Sequence, residues 1–203
     1  MTDNITLSGW DVLDEAHRVL RATVAAVAPG DWGRATPCAE WTVTQVLQHA
    51  AGDQLGYAAA ITGEGGPTEN PFAPSGRLDQ DPMEFLNPTL NAAAAAWSTV
   101  GNDVETAPTP LPLGPLPTWV GSGAAALDAA VHAWDIAVAT GQPSPLTDDL
   151  ARPLRKVAAE MVEPLRAFAF APAITPEPTD TDTALLLKYL GRRPDWAPII
   201  GGR

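Results

Sequence analysis

Proline placement sets what this chain can fold into. Pro108, Pro110, Pro112, Pro115 and Pro117 crowd the run TAPTPLPLGPLPT at residues 106–118, and each fixes φ and removes a backbone donor, so neither a regular helix nor a central strand can pass through it. The run must be an extended connector. A second break, GEGGPTENPFAPSGRLDQ at residues 63–80, is dense in glycine, proline and asparagine and long enough to be a functional loop. The segments between the breaks are helical in pattern. Val12, Leu13, Ala16, Val19, Leu20, Val24 and Val27 keep helical spacing until Pro29-Gly30 stops them. Thr42 can cap a second helix running to about Thr62, and Asp81-Pro82 opens a third that reaches Gly101, with Pro88 kinking or delaying its front. Gly121 or Ser122 begins a small-residue fourth helix ended by Gly141. A fifth follows Thr147 with interruptions at Pro153 and Pro164, and a short sixth, TDTALLLKYLG, closes at Gly191. Arg152, Arg155, Lys156 and Arg166 read as a solvated face of the fifth helix. No segment alternates with period two, so the expectation is all-α, a bundle of four or five helices with long connections.

Composition bounds the rest. The 203 residues, 45% of them hydrophobic, suit a single domain over 1–203 in which 171–203 is a terminal extension packed on the bundle. A net charge of −12 leaves no electrostatic footprint for nucleic acid or anionic lipid. The start, MTDNITLSGWDVLDEAHRVL, lacks a basic n-region and an apolar h-region, and no long stretch is free of polar breaks, which points to a cytoplasmic protein with no membrane partner. Cys38 is the single cysteine; it excludes an intrachain disulfide, agrees with a reducing compartment, and has no neighbour in sequence that would activate it as a nucleophile.

The three histidines carry the chemistry. Asp128 and His132 are four residues apart, which on a helix places a carboxylate and an imidazole on one face, able to converge on one cation. His49, in WTVTQVLQHAAGD, can add a third ligand if its helix packs beside theirs, giving a two-histidine, one-carboxylate site with an open coordination position. On spacing alone, the competing reading is a buried histidine bonded to a backbone carbonyl. Asp53, a turn after His49, and Asp135, a turn after His132, either orient the imidazoles from behind or are solvated acids. Trp41 and Trp134 read as core residues. His17, between Glu15 and Arg18, reads as surface.

The runs TPCAEWTVTQVLQHAAGD, VHAWDIAVATGQ and ALLLKYLGRRPDW resemble three landmark segments of the DinB/YfiT-like superfamily, in its actinobacterial, mycothiol-dependent maleylpyruvate isomerase-like branch. The resemblance spans about residues 10 to 196. It implies an antiparallel four-helix bundle, with extra short helices and long loops, that holds a divalent metal between one histidine of the second helix and a Glu-x-x-x-His pair of a later one. Residue by residue, the ligands would be His49, Asp128 and His132, with zinc the first choice and nickel or another divalent ion the alternative. Asp128 stands where the family usually has glutamate. The chain also ends at Arg203, too soon for the additional C-terminal domain of the isomerase itself, so the exact isomerase activity is not expected. What the resemblance does imply is an enzyme that uses a low-molecular-weight thiol, mycothiol or a similar one, in transfer to or isomerisation of a small electrophile. Arg77, in the 63–80 loop, is then a candidate for holding the anionic thiol or substrate. The expected partners are a small molecule, the thiol and a second copy in a homodimer. Two alternatives stay open: a non-catalytic binding module that keeps the bundle, and a hydrolase that uses metal-bound water.

Overall fold

The computed structural model describes residues 5–38 and 41–198. Six helices appear in chain order: α1 (Asp11–Ala25), α2 (Val43–Thr62), α3 (Pro82–Ser98), α4 (Thr118–Ala139), α5 (Asp148–Ala169) and α6 (Asp182–Tyr189). Helices α1 to α4 pack as an antiparallel four-helix bundle, α5 lies against α4, and α6 lies against α5. Among the described residues, no helix is long and apolar enough to cross a membrane.

Local signals account for several of the boundaries. The Thr42 hydroxyl accepts from the Gln45 N–H while the Gln45 side chain answers to the Thr42 N–H, a reciprocal cap that starts α2, and Gly63 at φ 75° ends it. The Asp81 carboxylate accepts from the N–H groups of Met83 and Glu84 to start α3. Pro88 does not end α3, nor do Pro153 and Pro164 break α5. In each helix a buried stripe carries the chain past the proline: Leu86 and Leu90 in α3, and Leu150, Leu154, Val157, Met161 and Leu165 in α5.

Helix α4 begins at Thr118, a full turn before the expected Gly121 or Ser122. The proline run is the reason. It folds back as a hairpin of two short strands, β1 (Thr106–Ala107) and β2 (Leu116–Pro117), antiparallel with Thr106 opposite Pro117. The Thr118 N–H then donates to the Glu105 carbonyl at 3.1 Å, and its hydroxyl donates to the Val104 carbonyl. Strands this short have no period to read in sequence.

The central helix is α4, and of its residues only Trp119, Asp128 and Val138 fall outside the buried set. A helix apolar on every side must be covered on every side, and its alanines and glycines permit that. A Cβ at Gly121 would meet the Trp97 ring of α3, and one at Gly123 would overlap Val157 of α5.

One surface assignment is overturned and a second holds in part. His17 is 1% exposed, because it continues the buried face of Leu13, Ala16 and Leu20 at helical spacing while Glu15 and Arg18 point outward. The basic face of α5 is solvated at Lys156 and at Arg152, whose side chain is 56% exposed, but its arginines also make contacts: Arg152 and Arg155 both pair with Asp182 of α6, and Arg166 bonds Glu163 and the Ala171 and Tyr189 carbonyls. They tie the last helix to α5.

Candidate metal centre

Helix α4 presents Asp128 and His132 one turn apart, and α2 presents His49 opposite them. Asp128 Oδ1 lies 3.4 Å from His132 Nε2 and 3.6 Å from His49 Nε2, and the two rings meet edge to face with centroids 4.8 Å apart. One donor atom from each of the three residues falls within 4.8 Å of the others.

The far side of each imidazole is occupied by an acceptor. His132 Nδ1 is 2.9 Å from Asp135 Oδ2, and His49 Nδ1 is 3.0 Å from the Pro71 carbonyl. Carboxylate and carbonyl oxygens only accept, so both Nδ1 atoms carry the hydrogen; the Nε2 lone pair of neutral His49 then faces Asp128, whereas His132 Nε2 carries a hydrogen toward Asp128 in the ion-free protein and must give it up to ligate a cation. Asp135 is fully buried and takes the Arg192 guanidinium on both oxygens, with Nε 3.0 Å from Oδ1 and Nη2 2.8 Å from Oδ2. Asp53 takes a different place from Asp135: its Oδ2 is 3.7 Å from His49 Nε2, on the inner side of the ring, so the Pro71 carbonyl and not Asp53 backs that imidazole. Its side chain is 21% exposed, against 11% for Asp128 and 8% for each histidine, so the cluster opens toward solvent on the Asp53 side.

Electrostatics divide these groups. Burial, reinforced by the charge of His132, lowers His49 to about 4, a neutral ring at physiological pH. Burial also acts to lower His132, but the charges and hydrogen bonds of Asp128 and Asp135 outweigh it and hold the ring up at about 10. Burial first and the Asp128 charge second push Asp53 up to about 8. Asp135 is held down at about 2 because Arg192 and His132 together overcome its burial.

The loop between α2 and α3 fixes His49. Gly52 is what lets that loop close on α2: a Cβ there would sit 2.9 Å from Pro71 Cγ. Gln45 donates to the Pro74 carbonyl, and Gln48 bonds Ser75, Gly76 and Arg77. Trp41 and Phe72 pack on the His49 ring, with centroids at 4.7 and 5.4 Å. Trp134 is a core residue, as expected, whereas Trp41 borders the site. A cleft of about 320 Å3 runs between α2 and the loop, bounded by Gly52, Pro71, Leu78 and Phe85. Arg77 reaches its rim with a side chain 82% exposed beside Asp79. Cys38 also approaches His132 and Asp135, a proximity invisible in sequence. Burial pushes its thiol pKa up, and the doubly bonded Arg192 makes that side of Asp135 a poor place for a cation.

A family profile described as the mycothiol maleylpyruvate isomerase N-terminal domain matches residues 13–137, a span that contains His49, Asp128 and His132. The chain belongs to this family. A protein of uncharacterized function from Mycobacterium tuberculosis, found in two strains, is 34% identical over 144 residues, covering 67% of this chain and 69% of the relative. Among solved structures, a histidine-to-alanine mutant of the mycothiol-dependent maleylpyruvate isomerase superimposes with a TM-score of 0.54 at 15% identity, over 81% of this chain and 72% of that one. At that identity the likeness is one of fold. Within the family span, the groups that sequence reasoning missed are the Pro71 carbonyl, Gly52 and Gln54, whose side-chain NH2 lies 3.4 Å from Asp128 Oδ2. Arg192, beyond it, was also missed.

Proposed function

We propose that His49, Asp128 and His132 hold one divalent cation, zinc before nickel, and that the centre works with a low-molecular-weight thiol of the mycothiol class on a small electrophile, by transfer or isomerisation. The observation that carries this reading is the pair of backed imidazoles: Pro71 and Asp135 fix both Nδ1 hydrogens, so both Nε2 atoms turn toward one carboxylate oxygen. Histidine ligands in metal sites are held in this way, and two nitrogens with one oxygen suit a zinc-class ion with a position left open. A bound ion would supply a Lewis acid that favours thiolate over thiol at neutral pH. The protein's own contribution is orientation and partial exclusion of water. Trp41 and Phe72 wall the His49 ring, and the opening beside Asp53 leaves one approach. The shorter arm of Asp128 is compatible with this role because α2 and α4 already bring its Oδ1 between the two rings.

Family membership favours a thiol over the hydrolase reading, which would use the same ligands with water. The test is elemental analysis of protein purified without added metal, followed by a thiol-conjugation assay on metal-loaded and chelated samples. The account expects one divalent ion per chain, lost in His49→Ala and His132→Ala, and conversion that requires both metal and thiol. Product formed without thiol would establish the hydrolase. A wild-type chain that takes up no metal would leave only the binding module.

A further inference from the structure

We infer that Gln54 and His17 form a positioning relay behind Asp128, which ties back one carboxylate oxygen and leaves the other for the ion. This inference rests on the metal reading above and extends it to two residues outside the ligand set.

Gln54 is fully buried on α2, between α1 and α4. Its Nε2 lies 3.0 Å from the Ala125 carbonyl and 3.4 Å from Asp128 Oδ2. Both neighbours are acceptors, so this end of the amide must be the NH2 group and the flipped assignment is excluded. The other end is therefore the oxygen, and it sits 2.8 Å from His17 Nε2. An amide oxygen can only accept, so His17 carries its hydrogen on Nε2 and donates. His17 Nδ1, with no partner among the described residues, is then the unprotonated nitrogen, the cheaper atom to leave bare in a buried ring. Each proton in the chain is assigned: His17 Nε2–H to Gln54 Oε1, then Gln54 Nε2–H to Asp128 Oδ2.

The consequence is a division of labour within one carboxylate. Oδ2 is tied back to α2, while Oδ1 is the oxygen that faces His132 Nε2 at 3.4 Å and His49 Nε2 at 3.6 Å. Asp128 has a short arm, and rotation about it would exchange the two oxygens. Gln54 opposes that rotation, and His17 holds the oxygen end of the Gln54 amide in place. Without the His17 donor, the Gln54 oxygen is left buried and unpaired, and the amide loses the anchor that aims its NH2 group at Asp128.

A buried polar pair can also serve only to register three helices, so the test must separate positioning from stability. Zinc affinity by chelator competition would be measured on wild type, Gln54→Met, which keeps length without hydrogen bonds, His17→Phe, which keeps a ring without a donor, the double variant, and His132→Ala as a ligand-loss control. Thermal unfolding of each metal-free protein is recorded in parallel. Gln54→Met is expected to weaken zinc binding ~10 to 100-fold, His17→Phe several-fold, and the double variant no more than Gln54→Met alone, because the second residue acts through the first. Either single variant that folds is sufficient for the affinity comparison. Variants that melt earlier yet bind zinc as wild type does would overturn the relay and leave the metal site standing, as would additive losses in the double variant. A wild-type chain that binds no zinc would overturn both.

Discussion

Asp135→Asn changes one atom type in the interior, and its cost can be worked out from the contacts. Asp135 accepts His132 Nδ1 at 2.9 Å and Arg192 Nη2 at 2.8 Å on Oδ2, and Arg192 Nε at 3.0 Å on Oδ1. Asparagine offers one oxygen, so in either amide orientation an NH2 group meets a donor. It also leaves the Arg192 guanidinium, 12% exposed, without its counter-charge. The gap between the ordinary 3.8 and the held value of about 2 corresponds to about 2.5 kcal/mol of stability, present above pH 3.8 and lost as pH falls through 2. Truncating one member of a buried pair costs about 3–5 kcal/mol, because the partner stays buried and uncompensated. We expect the larger figure, since ionisation bookkeeping omits the mispaired amide. That corresponds to a fall in melting temperature of roughly 6–20 °C for a chain of this size. The same change frees the His132 ring, and zinc affinity should fall ~10 to 100-fold. The assay is thermal unfolding of metal-free protein together with chelator competition, with Asp195→Asn as a control. The Arg193 pair of Asp195 is exposed on both sides, so the control should move neither readout. An Asp135→Asn protein with wild-type melting and wild-type zinc affinity would refute the reasoning.

Three further outcomes follow from other parts of the structure. Burial lowers His17 from 6.5 to about 4 despite the bond to Gln54; the unfolded chain therefore takes up this proton first, and the stability it contributes is lost as pH falls from 6.5 to 4, at most about 3 kcal/mol. Urea unfolding at pH 7 and pH 4.5 should show a smaller acid loss in His17→Phe than in wild type, and equal losses would contradict the burial. Gly52→Ala places a Cβ against Pro71, which should lift the 63–80 loop, speed its proteolysis and weaken zinc binding through the lost His49 hydrogen bond; unchanged digestion and affinity would count against that loop's role. Asp128→Asn should lose more affinity than the ~10 to 100-fold of changes behind the ligands, whereas Asp128→Glu, which keeps the carboxylate on a longer arm, should bind as well as wild type; the same chelator titration reads both.

Much of the bundle was legible because its signals are local. Thr42 and Gln45 form their cap within one turn, Asp81-Pro82 starts α3 by itself, and the i, i+4 spacing of Asp128 and His132 needs only a helix to become a shared face. The misses have non-local causes. The start of α4 depends on Thr118 reaching Val104 and Glu105 across a hairpin, which no window of sequence displays. Arg192 meets Asp135 from 57 residues away, and the Pro71 carbonyl is a backbone atom that any residue could supply. His17 was readable and was misread: its charged neighbours in sequence pointed to the surface, yet it lies four residues after Leu13 and three before Leu20, on the buried stripe. Gln54 has the same signature, a polar residue in step with buried Ala50 and Ala51, and polar residues so placed are where buried networks should be sought first.

The central claim, that His49, Asp128 and His132 share one ion, is tested most directly by a crystal structure of the zinc-loaded protein with anomalous data at the zinc edge. The account predicts one strong peak at about 2.0–2.2 Å from His49 Nε2, His132 Nε2 and an Asp128 oxygen, with Asp135 and Pro71 still behind the rings. A peak beside Cys38 and Asp135, or no peak between α2 and α4, would contradict it.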